Sequence, residues 1–146
     1  MKIVQRQYDA LIKAPCFKCA SPPNDIRQSK GVYLISENGL PLYVGRSNKL
    51  GTRLRGHAQR SHYTATFAFL LARKETGKKP TYKPEGSRAN LLKNDPHFSD
   101  VFDRARGRIK QMDVQIVEES DPTRQALLEI YTAFVTEAPY NSFDNH

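Results

Sequence analysis

The sequence predicts an α+β (α/β-class) domain, and three observations carry that reading. Two short apolar stretches, residues 32–36 and 40–44, flank Glu37-Asn38-Gly39, and an Asn-Gly pair between two such runs favours a tight β-hairpin. Residues 112–117 alternate, with Met112, Val114 and Ile116 on one face, which reads as a further strand. Apolar residues at helical spacing occupy 64–74 before that strand and 125–135 after it. The order is therefore hairpin, helices, strand, helix. A chain of 146 residues makes one ordinary domain with a real core, and no internal repeat is visible.

Taken in order, residues 8–13 predict one or two helical turns, stopped by Pro15. Ser21-Pro22-Pro23-Asn24-Asp25 is a turn-rich connector that delivers the chain to Gly31. In the first strand Val32 and Leu34 share one face, Tyr33 and Ile35 the other. Pro41 lacks an N–H, so it confines the start of the returning strand to an edge or a non-bonded position. The two strand tyrosines, Tyr33 and Tyr43, are then close across one antiparallel hairpin. The next helix carries Arg53, Leu54, His57 and Ala58, with Asn48 or Thr52 as its expected cap. Arg53 and His57 stand at i and i+4 and so share a face. In the helix over 64–74, Phe67, Leu70 and Leu71 are expected in the core, and Gly77 and Pro80 end it. Residues 77–100 are weakly patterned and rich in Lys, Pro and Asn, which predicts a substrate-facing insertion with a short helix near 87–93. Asp121-Pro122 opens the last helix, where Pro122 loses no hydrogen bond, and Pro139 closes it.

The formal charge is +8, from 23 Lys+Arg against 15 Asp+Glu, and a field of that sign draws polyanions, nucleic acid foremost. A basic surface kept for solubility is the plainer alternative. No stretch approaches the roughly 18 apolar residues of a membrane span. The N-terminal segment lacks the apolar centre of a signal peptide, so a cytoplasmic location and no membrane partner are expected. Cys16 and Cys19 form a lone CxxC, half of a tetrahedral zinc site. His57 or His62 would complete it only if the fold brought them near. A redox pair and reduced structural thiols are the other readings.

Tyr33, Tyr43, Arg53 and His57 lie within Gly31-Val32-Tyr33, Tyr43-Val44-Gly45 and the helix that follows. Hydroxyl, guanidinium and imidazole groups set this close in a basic chain suit phosphodiester chemistry better than a core. The segments resemble the GIY-YIG nucleases. Gly31-Val32-Tyr33 and Tyr43-Val44-Gly45 match the two signatures, with valine in place of isoleucine in each. YVGRSNKLGTRLRGH matches the family's next block, with Arg53 and His57 in its arginine and histidine positions. LLEIYTAFVTEAPYN matches its last block, placing Glu129 on the metal-binding glutamate and Asn141 on the terminal asparagine. Residues 60–110 match no shared block.

The resemblance implies a small three-stranded antiparallel sheet flanked by helices. It implies a catalytic domain over 31–146 with a variable basic insertion at about 60–110, residues 1–30 being an N-terminal extension packed on it. The implied activity is metal-dependent endonucleolytic hydrolysis of DNA, with one Mg²⁺ or Mn²⁺ per site. Tyr33, Tyr43, Arg53, His57, Glu129 and Asn141 are the implied catalytic set, Glu129 the metal ligand. Read alone, Tyr33 is equally a half-buried strand aromatic, Tyr43 a packed ring with a wet hydroxyl, and His57 a helix-capping side chain. A lone glutamate such as Glu129 in an apolar helical run is costly if buried unpaired, and one divalent cation removes that cost. Arg46, Lys49, Arg55, Arg60, Lys78, Lys79, Arg104, Arg106 and Arg108 are candidate phosphate contacts, each also readable as a solvated surface charge. DNA is the expected partner. The chain is expected as a monomer, or as a homodimer if it cuts both strands at one site. A non-catalytic nucleic-acid-binding module on the same fold is the alternative function.

Overall fold

Asn38 and Gly39 take φ of 53° and 79°, the pair of positive values that a two-residue type I′ hairpin turn requires. The computed structural model, which describes residues 2–59, 65–77 and 87–141, builds its sheet around that turn. Strands β2 (Gly31–Glu37) and β3 (Leu40–Ser47) pair antiparallel, with Tyr33 opposite Gly45 and Ile35 opposite Tyr43. Ser36 then faces Pro41, so Leu42 is an extra residue in β3, and its side chain turns into the core. Strand β4 (Asp113–Glu118) pairs antiparallel with the other side of β2.

The sheet has four strands, not the three expected. A two-residue strand, β1 (Phe17–Lys18), adds to β4, giving the order β1-β4-β2-β3. Two residues leave no alternation to read, and the pairing is set by position. Lys18 Nζ donates to Asp113 Oδ1 at 3.0 Å and to the Gln111 carbonyl at 3.1 Å. β3 is an edge strand, as Pro41 demands.

Central β2 is buried on both faces and divides two cores. Val32 and Leu34 pack with Val44, Val4, Leu11 and Leu128, while Tyr33 and Ile35 pack with Leu54, Phe67, Met112 and Val114. The first core is closed by α1 (Lys2–Lys13) and α6 (Pro122–Thr136). Helix α1 is longer than the turn or two expected, because Val4 and Leu11 bury one face and Tyr8 meets Tyr131 edge-on at 5.4 Å. Gln115 Nε2 donates to the Ile12 and Ala14 carbonyls and so satisfies the end of α1. Gln7 and Arg124 both donate to the Glu119 carboxylate, tying α1 to the start of α6. Asp121 caps α6 by accepting from the Arg124 amide at 2.9 Å.

The second core is closed by α2 (Leu50–Gly56), α3 (Thr66–Thr76), α4 (Arg88–Asn94) and α5 (Pro96–Lys110). Neither Asn48 nor Thr52 caps α2. Lys49 holds the cap position without a side-chain bond, and Asn48 Oδ1 instead accepts from Gln125 Nε2 at 3.3 Å. In α3, Phe67 and Leu71 are buried as expected and Leu70 is half-buried, and left-handed Gly77 ends the helix. Helix α4 falls at the short helix expected there, capped by Ser87. Helix α5 was not expected. Asp95 and Pro96 open it as Asp121 and Pro122 open α6, and Phe98, Val101, Phe102, Ala105 and Ile109 form its buried stripe. Phe98 packs on Phe69 of α3 at 5.2 Å. The described part of the supposed insertion is thus wall of the main core. Among the described residues no helix is long and apolar enough to cross a membrane.

After α6, Glu137 turns the chain at φ 54°. Tyr140 N then donates to the Leu42 carbonyl at 3.2 Å, laying the C-terminal segment along the open side of β3.

Candidate active site

The hairpin register puts Tyr33 across from Gly45, and the phenol lies over that glycine. A Cβ at position 45 would run into the Tyr33 hydroxyl, so only glycine leaves room for the ring. Gly31 is fixed by a similar limit, since a Cβ there would meet the Val117 carbonyl of β4. The signature glycines therefore make space rather than flexibility.

Tyr33 is 1% exposed and His57 is fully buried, and Tyr33 Oη lies 2.7 Å from His57 Nε2. Helix α2 delivers His57, whose amide bonds back to the Arg53 carbonyl at 3.3 Å, so the i, i+4 relation read in the sequence holds. Burial pushes the Tyr33 phenol up from its usual range, the neighbouring Tyr43 and Glu129 add to the rise, and Arg53 opposes it. Burial and the Arg53 charge lower His57 to about 3. At neutral pH both partners are uncharged. Either the phenol donates to Nε2, or Nε2–H donates to the phenol oxygen. His57 Nδ1 is buried without a hydrogen-bond partner among the described residues.

Tyr43 shares the face of Tyr33, with ring centroids 6.3 Å apart. Its ring stacks on Phe67 at 4.9 Å and 13° and meets His57 edge-on at 5.5 Å. Burial raises the Tyr43 pKa, and Arg53 pulls against that rise. Arg53 is half-buried, and its Nη2 donates to Thr66 Oγ1 at 3.2 Å. One guanidinium thus bears on Tyr33, Tyr43 and His57 together.

Glu129 comes from α6 on the other side of β3, yet its charge acts on both tyrosines. Its own pKa is raised by burial and drawn back by Arg46. That ion pair spans 3.7 Å, beyond hydrogen-bond length, and leaves the carboxylate loosely held. A single oxygen ligand of this kind fits a hard divalent cation that keeps most of its waters. Among the described residues no three His, Cys, Asp or Glu side chains group as a metal cluster, so Glu129 would serve alone on the protein side. Asn141 points elsewhere. Its Oδ1 accepts from Val44 N and its Nδ2 donates to Val44 O, both at 2.7 Å, so the amide is spent on strand backbone.

The basic residues divide by what already holds them. Lys49 and Arg53, with Ser47, Asn48, Thr52 and Gly56, line an open pocket of about 380 Å³. Arg46 sits beside Glu129, and Arg55 is half-buried on α2. Arg108 forms a two-pronged pair with Glu37, both bonds 2.7 Å. Arg106 bonds Asp103 and the Ala58 carbonyl, and Arg104 pairs with Asp100 and Glu75. Arg60, Lys78 and Lys79 lie outside the described residues, as does His62. Cys19 is buried with Sγ donating to the Leu54 carbonyl at 3.4 Å, and burial pushes its thiol up to about 12. Cys16 is exposed.

The structure brings together Tyr33, Tyr43, Arg53, His57 and Glu129. Two contacts had no signal in the sequence. Thr66 at the start of a helix reads as a capping residue, and Phe67 reads as core, which it is. Their approach to Arg53 and Tyr43 depends on how α3 returns against the sheet.

No family model matches the chain, and no curated protein matches it. Among solved structures the chain is similar to the GIY-YIG N-terminal endonuclease domain of UvrC from Thermotoga maritima. Against the form bound to magnesium the identity is 15% over 97% of this chain and 99% of that chain, with a TM-score of 0.41. Against a point mutant bound to the catalytic divalent cation it is 14% over 97% and 98%, with a TM-score of 0.40.

Proposed function

We propose that the chain is a divalent-metal-dependent endonuclease that hydrolyses phosphodiester bonds in DNA, using one metal ion and a water nucleophile whose proton Tyr33 manages. The observation that carries this reading is the buried 2.7 Å contact of Tyr33 with His57, with Arg53 acting on both groups and Glu129 acting on Tyr33. A phenol and an imidazole sealed together beside a guanidinium and a carboxylate make a poor core and a good proton-transfer site.

The raised phenol pKa excludes a standing phenolate at neutral pH. Tyr33 therefore works as a relay. Its oxygen accepts a proton from the attacking water as its own proton passes to His57 Nε2. His57 is a weak base because burial, and after it the Arg53 charge, disfavours its protonated form. An anionic phosphodiester beside Arg53 offsets that positive charge and raises the basicity of His57 when substrate is bound. Arg53 places its planar fork against the scissile phosphate and stabilises the charge that builds on the non-bridging oxygens. Tyr43 orients the water or the phosphate from its stacked position on Phe67. Glu129 would hold Mg²⁺ or Mn²⁺, which supplies positive charge to a phosphoryl oxygen in the transition state. Asn141 acts through β3, fixing the strand that carries Tyr43. Arg46, Lys49 and Arg55 are the phosphate contacts nearest the site.

The test is digestion of supercoiled plasmid by wild type and Tyr33→Phe, in EDTA and then with Mg²⁺ or Mn²⁺ restored. Cleavage should require metal and be lost in the variant, which keeps the ring and removes only the hydroxyl. Discrete fragments would indicate sequence-specific double-strand cutting of the restriction kind, which a smear or nicking would not. Salt-sensitive DNA binding with no cleavage by wild type in either metal would establish the non-catalytic module instead.

A further inference from the structure

Helix α6 carries Glu129 toward the site and leaves its outer side uncovered. Every exposed position between Arg124 and Glu137 is apolar: Leu127, Ile130, Phe134 and Val135. Phe134 is 82% exposed, and Leu127, Ile130 and Val135 are 46%, 49% and 44% exposed. Leu127, Ile130 and Phe134 are spaced by three and then four residues, which aligns them as one stripe with the spacing of a helix-pairing seam. The inner side of the helix is already spent on the first core through Leu128 and Ala133. Uninterrupted apolar surface of this kind, on a chain with 23 Lys and Arg, marks a contact with another molecule.

We propose that this stripe pairs with the same stripe of a second copy of the chain, the two α6 helices running antiparallel about a two-fold axis beside Ile130. Two chains of charge +8 repel, so they approach closely only over surface that holds no cation, and residues 125–136 hold none. The stripe also matches itself. With Ile130 at the centre, Leu127 of each copy comes level with Phe134 of the other, so each ring meets a smaller side chain. Antiparallel helices set the positive end of each dipole beside the negative end of the other. The contact is small. Two such stripes bury on the order of 1,000 Å² in total, the lower limit for a specific interface, which predicts a dimer that dissociates in the micromolar range. Glu129 stands about 100° round the helix from Ile130, on the flank whose charge bears on Tyr33 and Tyr43, so pairing does not consume it. The inference does not depend on the nuclease reading.

The experiment is sedimentation velocity on the full chain from about 1 to about 200 μM, a range that brackets weak specific association. The wild-type mass should rise from the 16.6 kDa of one chain to twice that value and stop there. Phe134→Glu lowers the net charge and so lessens repulsion between copies, yet its mass should stay at one chain throughout, and Leu127→Lys should do the same. Both side chains are exposed, so circular dichroism and the thermal midpoint should match wild type. Leu40→Glu, at an exposed apolar residue beside the hairpin turn, should associate as wild type does. Mixing Leu127→Lys with Phe134→Glu should restore the dimer. The antiparallel register then sets the introduced lysine level with the introduced glutamate and leaves the other Leu127–Phe134 contact native. A wild type that stays at one chain at the highest concentration overturns the proposal and leaves the stripe to a partner other than this chain. A mass that climbs past two copies overturns it too, as does a dimer that Phe134→Glu leaves intact. Mixed variants that fail to associate overturn the antiparallel pairing.

Discussion

Tyr33 and Gly45 are one device written in two places. The phenol needs the space that glycine leaves, and Gly45→Ala has no compatible position for both the new methyl group and the hydroxyl. We expect Gly45→Ala to lose cleavage as completely as Tyr33→Phe, and to lose stability as well, since the ring must leave its pocket. Equal thermal midpoints for Gly45→Ala and wild type would contradict this. His57 makes a separate prediction through its lowered pKa. In the unfolded chain it titrates near 6.5, and in the folded one at about 3. Between those values the unfolded chain binds a proton that the native one refuses, so stability is complete above about pH 6.5 and declines as pH falls toward 3. Glu119 is held down to about 2 chiefly by Arg124 and the Asp121 amide, and contributes its loss only below its unfolded value near 4.5. Between about pH 7.5 and about pH 5 the histidine lowers stability as pH falls while Glu129, raised by burial, acts in the opposite sense, so urea midpoints at the two pH values are compared between wild type and His57→Gln. The drop from the higher pH to the lower should shrink in His57→Gln. At this scale the sequence was informative because tyrosine, arginine and histidine carry their chemistry wherever they sit. Asn141 was less readable, because an amide serves phosphate or backbone equally well, and only geometry shows both of its groups spent on Val44.

Elements were legible in proportion to their pattern. The hairpin, β4 and α6 announced themselves through Asn38-Gly39, through the alternation after Met112 and through Asp121-Pro122. Helix α5 carried the same signs, Asp95-Pro96 and a stripe from Phe98 to Ile109, but its many arginines suggested a surface tract. Those arginines sit on its outer side, where Arg104 and Arg106 pair with acids of the same helix and Arg108 reaches Glu37 in β2. Strand β1 could not be read at all, since two residues have no period. One element end carries strain that substitution can relieve. Glu137 terminates α6 at φ 54°, a left-handed value that costs a residue with a Cβ roughly 1–2 kcal/mol. Glu137→Gly should raise stability by about 0.5–1 kcal/mol after the added chain entropy is counted, measured by urea unfolding at neutral pH. A lower midpoint than wild type would show that the glutamate contributes something its exposed position does not suggest.

The whole molecule is a sheet with two cores, and the candidate site lies between the Tyr33 face of the sheet and helices α2 and α3. The 23 Lys and Arg are less available than their number implies, because Arg104, Arg106, Arg108 and Arg124 already face carboxylates, which the net charge of +8 counts. Lys49 and Arg55 form no ion pair among the described residues, and Arg46 has only the long contact to Glu129. DNA affinity should therefore fall with salt, with a log–log slope of about −2 to −5 rather than one set by the full count of cations. Titrations of a short duplex from low to moderate salt would measure it, and a flat response would count against a basic binding surface. The C-terminal segment has a consequence beyond the site. By occupying Leu42 O, Val44 N and Val44 O, Tyr140 and Asn141 remove the rungs on which a foreign strand would dock. A cut just before Tyr140 would expose that ladder, and the trimmed protein should be prone to strand-to-strand self-association that the intact chain resists.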